Sequence, residues 1–154
     1  MELYPLSAAE YEFWKERSVR EYKLENMRAN GLTEKEADEK ATADFNRYLP
    51  DGMKSIDQHI YTIKDNDELV GFLWFCERGS ADNRKAYILD IIIEEHQRGK
   101  GFGKKAMLLL EEKVKALGLK HIGLHVFGHN QRAIGLYQSL NYQTTNLVME
   151  KELK

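Results

Sequence analysis

Three glycines in five residues, Gly99, Gly101 and Gly103, stand among Arg98, Lys100, Lys104 and Lys105, directly before a run with helical spacing. Residues of these types do their chemistry through the backbone. A helix start carries N–H groups without intrahelical partners and about half a positive charge. Glycines let the chain turn tightly and let a ligand come close to it. The expected product is an anion site, most often for phosphate. Two nucleotide readings fail on spacing: no GxxxxGK[ST] run is present, and these glycines are spaced GxGxG, not GxGxxG. Taken alone, the segment is either a phosphate site of another kind or a glycine-rich turn with solvated lysines.

Asp90 is the second residue with chemical potential. It interrupts the otherwise apolar run "AYILDIII". A buried carboxylate is costly without a partner, so Asp90 is expected either to bond to backbone or arginine or to move protons. Glu77 and Glu94 are weaker candidates for the same work. His121, His125 and His129 recur every four residues, which on a helix would make a metal stripe. Gly123 and Gly128 argue against a helix there. On an extended strand His121 and His129 would lie about 26 Å apart, so no metal site is expected. His59 and His96 read as surface or strand-end residues. Cys76, the single cysteine, lies in an apolar run and reads as a buried structural thiol. No internal disulfide is possible, which suits a reducing compartment.

The elements that must position these residues follow from local signals. "MELYPL" alternates and reads as a strand. Ser7 and Glu10 form a capping box ahead of a helix that runs to Asn30-Gly31; Thr33 and Glu36 repeat the box ahead of a second helix, ended by Pro50-Asp51-Gly52. "HIYTIK" and "LVGFLWFCER", joined by "DNDE", predict a hairpin. "AYILDIII" is a strand. The glycine loop then opens a helix with the inward stripe Ala106-Met107, Leu110, Val114 and Leu117, ended by Gly118. "HIGLHVF" is a strand, Asn130 caps the short helix "QRAIGLYQSL", Asn141 suits the left-handed residue after it, and "NLVMEKEL" is a closing strand. The fold class is α/β (α+β), a mixed sheet flanked by helices.

The 154 residues suit one domain, expected to span 1–154. A formal net charge of −2 gives no basic field for nucleic acid or a membrane surface. No apolar run approaches the roughly 20 residues of a membrane span, and the N-terminus lacks a signal-peptide pattern. A cytoplasmic location is the expectation.

Arg98-x-x-Gly101-x-Gly103 matches the R/Q-x-x-G-x-G/A pattern of the GNAT superfamily of N-acetyltransferases, placed as there after a strand and at a helix start. "HVFGHNQRAIGLYQSLNY" resembles the family's second segment. The two motifs span about Asp90 to Tyr142, and the element order resembles the family from Met1 to Lys154, including the doubled helix before the hairpin. The resemblance implies a mostly antiparallel sheet of about six or seven strands with about four helices. It also implies acetyl-CoA as co-substrate and direct transfer of its acetyl group to a primary amine in a ternary complex.

In that picture the backbone of Arg98, Gly99, Lys100, Gly101, Phe102, Gly103 and Lys104 would hold the pyrophosphate. Ile91, Ile92 and Ile93 would pair with the pantetheine arm, and Asn130 would reach the cofactor as well as cap its helix. Tyr137 would donate a proton to the thiolate, whereas by spacing alone it reads as a core aromatic. Some members carry a basic glutamate where this chain has Tyr87, a departure that leaves Asp90 as the candidate base, with a water chain as the alternative.

The acceptor would be a small-molecule or peptide amine. The acidic run Glu34, Glu36, Asp38, Glu39 and Asp44 is either an attraction for a cationic amine or a solvated helix face. A homodimer built by sheet pairing is compatible with the family. A non-catalytic acyl-CoA sensor or regulatory module of the same fold is the alternative function.

Overall fold

A computed structural model describes every residue from Met1 to Lys154. Strand β1 (Glu2–Pro5) leads into helices α1 (Ala8–Asn30) and α2 (Glu34–Tyr48); strands β2 (Gln58–Asp65), β3 (Glu68–Arg78) and β4 (Lys85–Ile93) follow. Helix α3 (Phe102–Ala116), strand β5 (Ile122–Leu124) and helix α4 (Gln131–Ser139) complete the regular structure. The sheet order is β1-β2-β3-β4-β5, antiparallel throughout except for the parallel pair β4/β5. No helix is long and apolar enough to cross a membrane.

Local chemistry sets these boundaries. Ser7 and Thr33 each accept from the backbone N–H three residues on, and Glu10 and Glu36 return the bond, so both capping boxes are complete. Such a cap is worth about 1 kcal/mol. Gly31 ends α1 in the left-handed conformation, and Asn141 takes the same conformation after α4. Asn66 and Asp67 both have positive φ, which makes the β2–β3 connection the tight turn whose twist matches paired strands.

The core lies on both faces of β3. Phe72 and Trp74 point to one side, where they meet Trp14 of α1 and Phe45 and Leu49 around α2. Leu73 and Phe75 point to the other, against Ala106, Met107, Leu110 and Val114 of α3. A strand covered on both faces has no polar alternation, which explains the unbroken run "LVGFLWFC". Gly71 is required here by crowding: a Cβ would sit 1.9 Å from the carbonyl oxygen of Ile92 on β4.

Two expectations need correction. The sheet has five strands, fewer than the six or seven that the resemblance implied. The missing strand is "NLVMEKEL": residues beyond Tyr142 form no strand and pair with nothing in this chain. β5 is also shorter than "HIGLHVF", because its ladder with β4 stops at Ile88↔Leu124. The remaining elements lie where the local signals put them.

Candidate active site

The site begins with a strand that loses its neighbour. β4 pairs with β3 along its length, but a bulge at Leu89 interrupts the register, Trp74 facing Asp90 and Phe75 facing Ile88. A bulge bends and twists the strand that carries it. On the other edge, pairing with β5 ends at Ile88. From Leu89 to Ile93, β4 therefore presents a backbone edge with no strand partner, and Ile91, Ile92 and Ile93 lie along it.

The chain then turns from this edge, through Glu95–Gln97, into the glycine loop. Gly99 and Gly101 hold φ of 78° and 79°, and a Cβ on either would meet nothing within 4 Å, so their identity follows from the backbone conformation and not from crowding within the chain. Helix α3 starts after Gly101 with no side-chain cap. The N–H groups of residues 99–104 find no acceptor in the chain; the first N–H bond of the helix start runs from Lys105 to the Gly101 oxygen. Side chains brace the loop from behind. Arg98 Nε donates to the Ile93 oxygen at 3.0 Å, and Lys100 Nζ donates to Gln97 Oε1 at 3.1 Å. Gln97 is itself buried and donates to the Leu69 oxygen at 3.3 Å. Half-buried Phe102 packs on the α3 side of the core, and Lys104 stays exposed.

Asp90 sits at the head of the free edge. Its carboxylate accepts from Ser18 Oγ of α1 at 3.3 Å. Burial pushes its pKa up to about 6, with the Ser18 hydroxyl, the Ile91 N–H and the Arg17 charge opposing and Glu21 adding to the rise. Asp90 keeps some contact with solvent, so protons can reach it. The two other carboxylate candidates are engaged elsewhere: Glu94 pairs with Arg17, and Glu77 binds His59 at 2.8 Å and Arg84 at 3.6 Å. Tyr87, at the departure from the family pattern, lies under the Arg78 guanidinium at 3.6 Å from its ring centre.

Tyr137 reaches this region from α4. A Cβ on Gly103 would lie 3.5 Å from Leu136, so α4 adjoins the start of α3. Burial and the nearby Asp90 charge both raise the Tyr137 phenol above its ordinary value, which keeps it protonated at neutral pH. Its ring packs against Tyr142 at 5.9 Å and against the α3 side of the core, so it is also a packing residue. Asn130 caps α4 by accepting from the Ala133 N–H at 3.3 Å, and no hydrogen bond joins it to the glycine loop.

Sequence reasoning placed α1 but missed the side chains by which it reaches the site. Arg17, Ser18, Glu21 and Glu25 lie along one side of it and reach Glu94, Asp90 and His129, the last through a 3.2 Å contact between Glu25 and the imidazole. The helix thus reaches from the end of β4 to the segment after β5. One signal was present: Ser18 and Asn26 fall on the same buried stripe as Tyr11 and Trp14. The acidic face of α2 is partly neutralised within the chain, Asp38 by Lys23 and Asp44 by Lys40 and Arg47. A shallow pocket of about 260 Å³ lies at the opposite end of β4, around Arg78, Tyr87 and Gly123. It includes Tyr87 and Arg78 but none of Asp90, Tyr137 or the glycine loop.

Known proteins share this fold. The profile of the Acetyltransferase (GNAT) family matches residues 17–142. The uncharacterized N-acetyltransferase YdgE of Bacillus subtilis (strain 168) is 33% identical over 149 residues, covering 96% of this chain and 95% of its own. YycN of the same organism is 30% identical over 152 residues, covering 98% and 97%. The crystal structure of YycN superposes with a TM-score of 0.93 over 99% of this chain and 98% of its own. A protein of Clostridium acetobutylicum described as a predicted acetyltransferase, crystallised with acetyl-CoA, shares the fold at a TM-score of 0.63 and 17% identity, covering 98% and 95%. The free edge of β4, the glycine loop at the start of α3 and the profile match agree: this chain belongs to the acetyltransferase (GNAT) family.

Proposed function

We propose that the protein transfers the acetyl group of acetyl-CoA to a primary amine, with both substrates bound at once. The observation that carries this reading is the unpaired edge of β4 running directly into a turn whose N–H groups have no acceptor. A strand edge suits an extended amide-containing arm, and clustered N–H groups at a helix start suit a pyrophosphate. The residues present fit such a group: Gly99 and Gly101 leave their Cβ positions open, and Arg98 and Lys100 fix the loop instead of filling it. Ile91, Ile92 and Ile93 would hold the pantetheine arm, residues 98–104 the pyrophosphate. Asn130, already engaged as a cap, would add a contact only by its second lone pair or its amide N–H₂.

Bound acetyl-CoA supplies an activated acyl carbon and a thiolate leaving group. The chain supplies the proton handling. An ammonium ion has no lone pair, so an acceptor must first lose a proton. Asp90, titrating near 6, is ionised at neutral pH and retains more basicity than an ordinary carboxylate. Tyr137 stays protonated and can hydrogen-bond or protonate the departing sulfur. Holding both substrates in one cleft supplies a large share of the rate independently of either group.

The sensor or regulatory alternative predicts binding without turnover. Thioester cleavage followed with a panel of primary amines separates the two. Amine-dependent release of free thiol supports the transferase; binding of acetyl-CoA with no release across chemically varied amines supports the module.

A further inference from the structure

The bulge at Leu89 gathers Asp90, Tyr87, Arg78 and Lys85 onto one face of the sheet. Residues that face each other across an antiparallel pair point to the same side. Trp74 lies on the side covered by α1 and α2, and it faces Asp90. Cys76 and Arg78 follow Trp74 at alternate positions of β3, so they point to that side as well; they face Tyr87 and Lys85. Without the extra residue, Tyr87 and Asp90 would point to opposite sides, being three positions apart. Along the strand they are separated by at most about 10 Å.

Arg78 is held ready but has no anion. Its guanidinium lies 3.6 Å from the centre of the Tyr87 ring and 5.5 Å from that of Tyr48, and it donates to the Tyr48 hydroxyl. Two rings and a hydroxyl thus fix the planar fork in advance, which lowers the cost of binding a ligand to it. Arg17 and Arg84 are half-buried like Arg78. Those two are paired, Arg17 with Glu94 and Arg84 with Asp57 and Glu77. Arg78 forms no ion pair within the chain, and neither does Lys85 beside it. The adjacent carboxylate, Glu77, is held by His59 and Arg84. The pocket of about 260 Å³ at Arg78 is lined also by Lys85, Tyr87 and the turn residues Gly79 and Asn83, with no acidic side chain.

We propose that this pocket is an oxyanion subsite, which takes the carboxylate or phosphate at the far end of an acceptor whose amine lies at Asp90. A guanidinium fork matches the two oxygens of either group, and Lys85 adds a second cation at the rim. The row also orders the charges along the acceptor: the anionic end meets Arg78 and Lys85, and the cationic amine meets the carboxylate of Asp90. The acceptor class is therefore an amine that carries an oxyanion within about 10 Å, such as an amino acid, a short peptide or an aminoalkyl phosphate. This inference rests on the reading of Asp90 as the place where the amine is deprotonated.

The test compares acids with neutral amides of the same length: 4-aminobutanoate, 6-aminohexanoate and 8-aminooctanoate, each beside its amide, with 6-aminohexyl phosphate as the phosphate probe. Binding is followed by calorimetry, and acetyl transfer by release of free thiol. At one or more of these lengths the acid should bind at least about tenfold more tightly than its amide, and its kcat/KM should be higher by a similar factor, carried by KM. A phosphate that binds more tightly than 6-aminohexanoate identifies a phosphorylated acceptor; the reverse order identifies an amino acid or peptide. In Arg78→Met, whose side chain still fills the space between the tyrosine rings, the ratio of acid to amide should fall to about one. Lys85→Gln changes an exposed side chain that the fold does not need, and should reduce the ratio severalfold. Equal affinity and equal kcat/KM for acids and amides at every length would overturn the proposal and leave acetyl transfer standing. A preference that survives in both variants would also overturn it, since the anion would then lie elsewhere. Arg78-dependent binding of the acids with no acetyl transfer to any amine would uphold the oxyanion pocket and overturn the transferase reading instead.

Discussion

Replacing Asp90 by asparagine separates what the carboxylate costs from what it does. In the folded chain the carboxyl titrates near 6 instead of 3.8, chiefly because it is buried. About two pKa units at 1.36 kcal/mol each is about 3 kcal/mol. The raised value fixes the sign. Below pH 3.8 the carboxyl is neutral in both folded and unfolded chains, and the charge makes no difference. Between 3.8 and 6 the unfolded chain gives up its proton first, so folding stability falls as pH rises; above 6 the whole cost is present. Asparagine has nearly the same shape and can still accept from Ser18, but never carries the charge. In urea unfolding at pH 8, Asp90→Asn should therefore be more stable than the natural chain, by up to about 3 kcal/mol. The part of Asp90 that still meets solvent makes this an upper value. The gain should shrink to nothing near pH 3.5. Acetyl transfer should meanwhile fall by about two to four orders of magnitude, the usual worth of a general base. The limb of kcat/KM that rises toward an inflection near pH 6 should disappear. A variant less stable at pH 8 would show that native contacts more than offset the burial, leaving Asp90 a structural anion. An inflection that survives the substitution would place the base elsewhere.

Tyr137→Phe should lower turnover far more than acetyl-CoA affinity, measured by steady-state kinetics beside calorimetry; equal losses in both would make Tyr137 a packing residue only. Gly71→Ala should destabilise the fold by at least about 2 kcal/mol in urea unfolding, since its Cβ would stand 1.9 Å from the Ile92 oxygen and one strand must move. A change under 0.5 kcal/mol would mean that β3 and β4 are not so close. Cys76 is 1% exposed, and burial raises its thiol pKa, so a thiol reagent should label it only as fast as the protein unfolds; immediate labelling in native buffer would contradict the packing of β3.

What was legible in the sequence was what short segments decide alone. Ser7 and Glu10, Thr33 and Glu36, and the pair Asn66 and Asp67 specify helix starts and a turn through contacts within a few residues. The glycine loop was legible for the same reason, because its positive φ values and bare helix start are local. The α1 contribution was not: Ser18 meets Asp90 across 72 positions and Arg17 meets Glu94 across 77, separations that leave no periodic trace. The bulge at Leu89 was equally hidden, since "AYILDIII" reads as uniform strand and only pairing with β3 shows the extra residue. "NLVMEKEL" has the composition of a strand and forms none here, because strand propensity expresses the fit to a neighbouring surface, and this chain places none beside it.

The central claim is that the free edge of β4 and the turn from Arg98 to Lys104 hold the coenzyme A moiety of acetyl-CoA. The most direct measurement is acetyl-CoA titrated by calorimetry into the natural chain and into Gly101→Glu, with ATP as the comparison. The glutamate would place a side chain and a negative charge where the N–H groups of residues 99–104 converge. The account predicts micromolar binding of acetyl-CoA to the natural chain, none of ATP, and loss of acetyl-CoA binding in a variant that retains its fold. Equal affinity for acetyl-CoA in both proteins would contradict it.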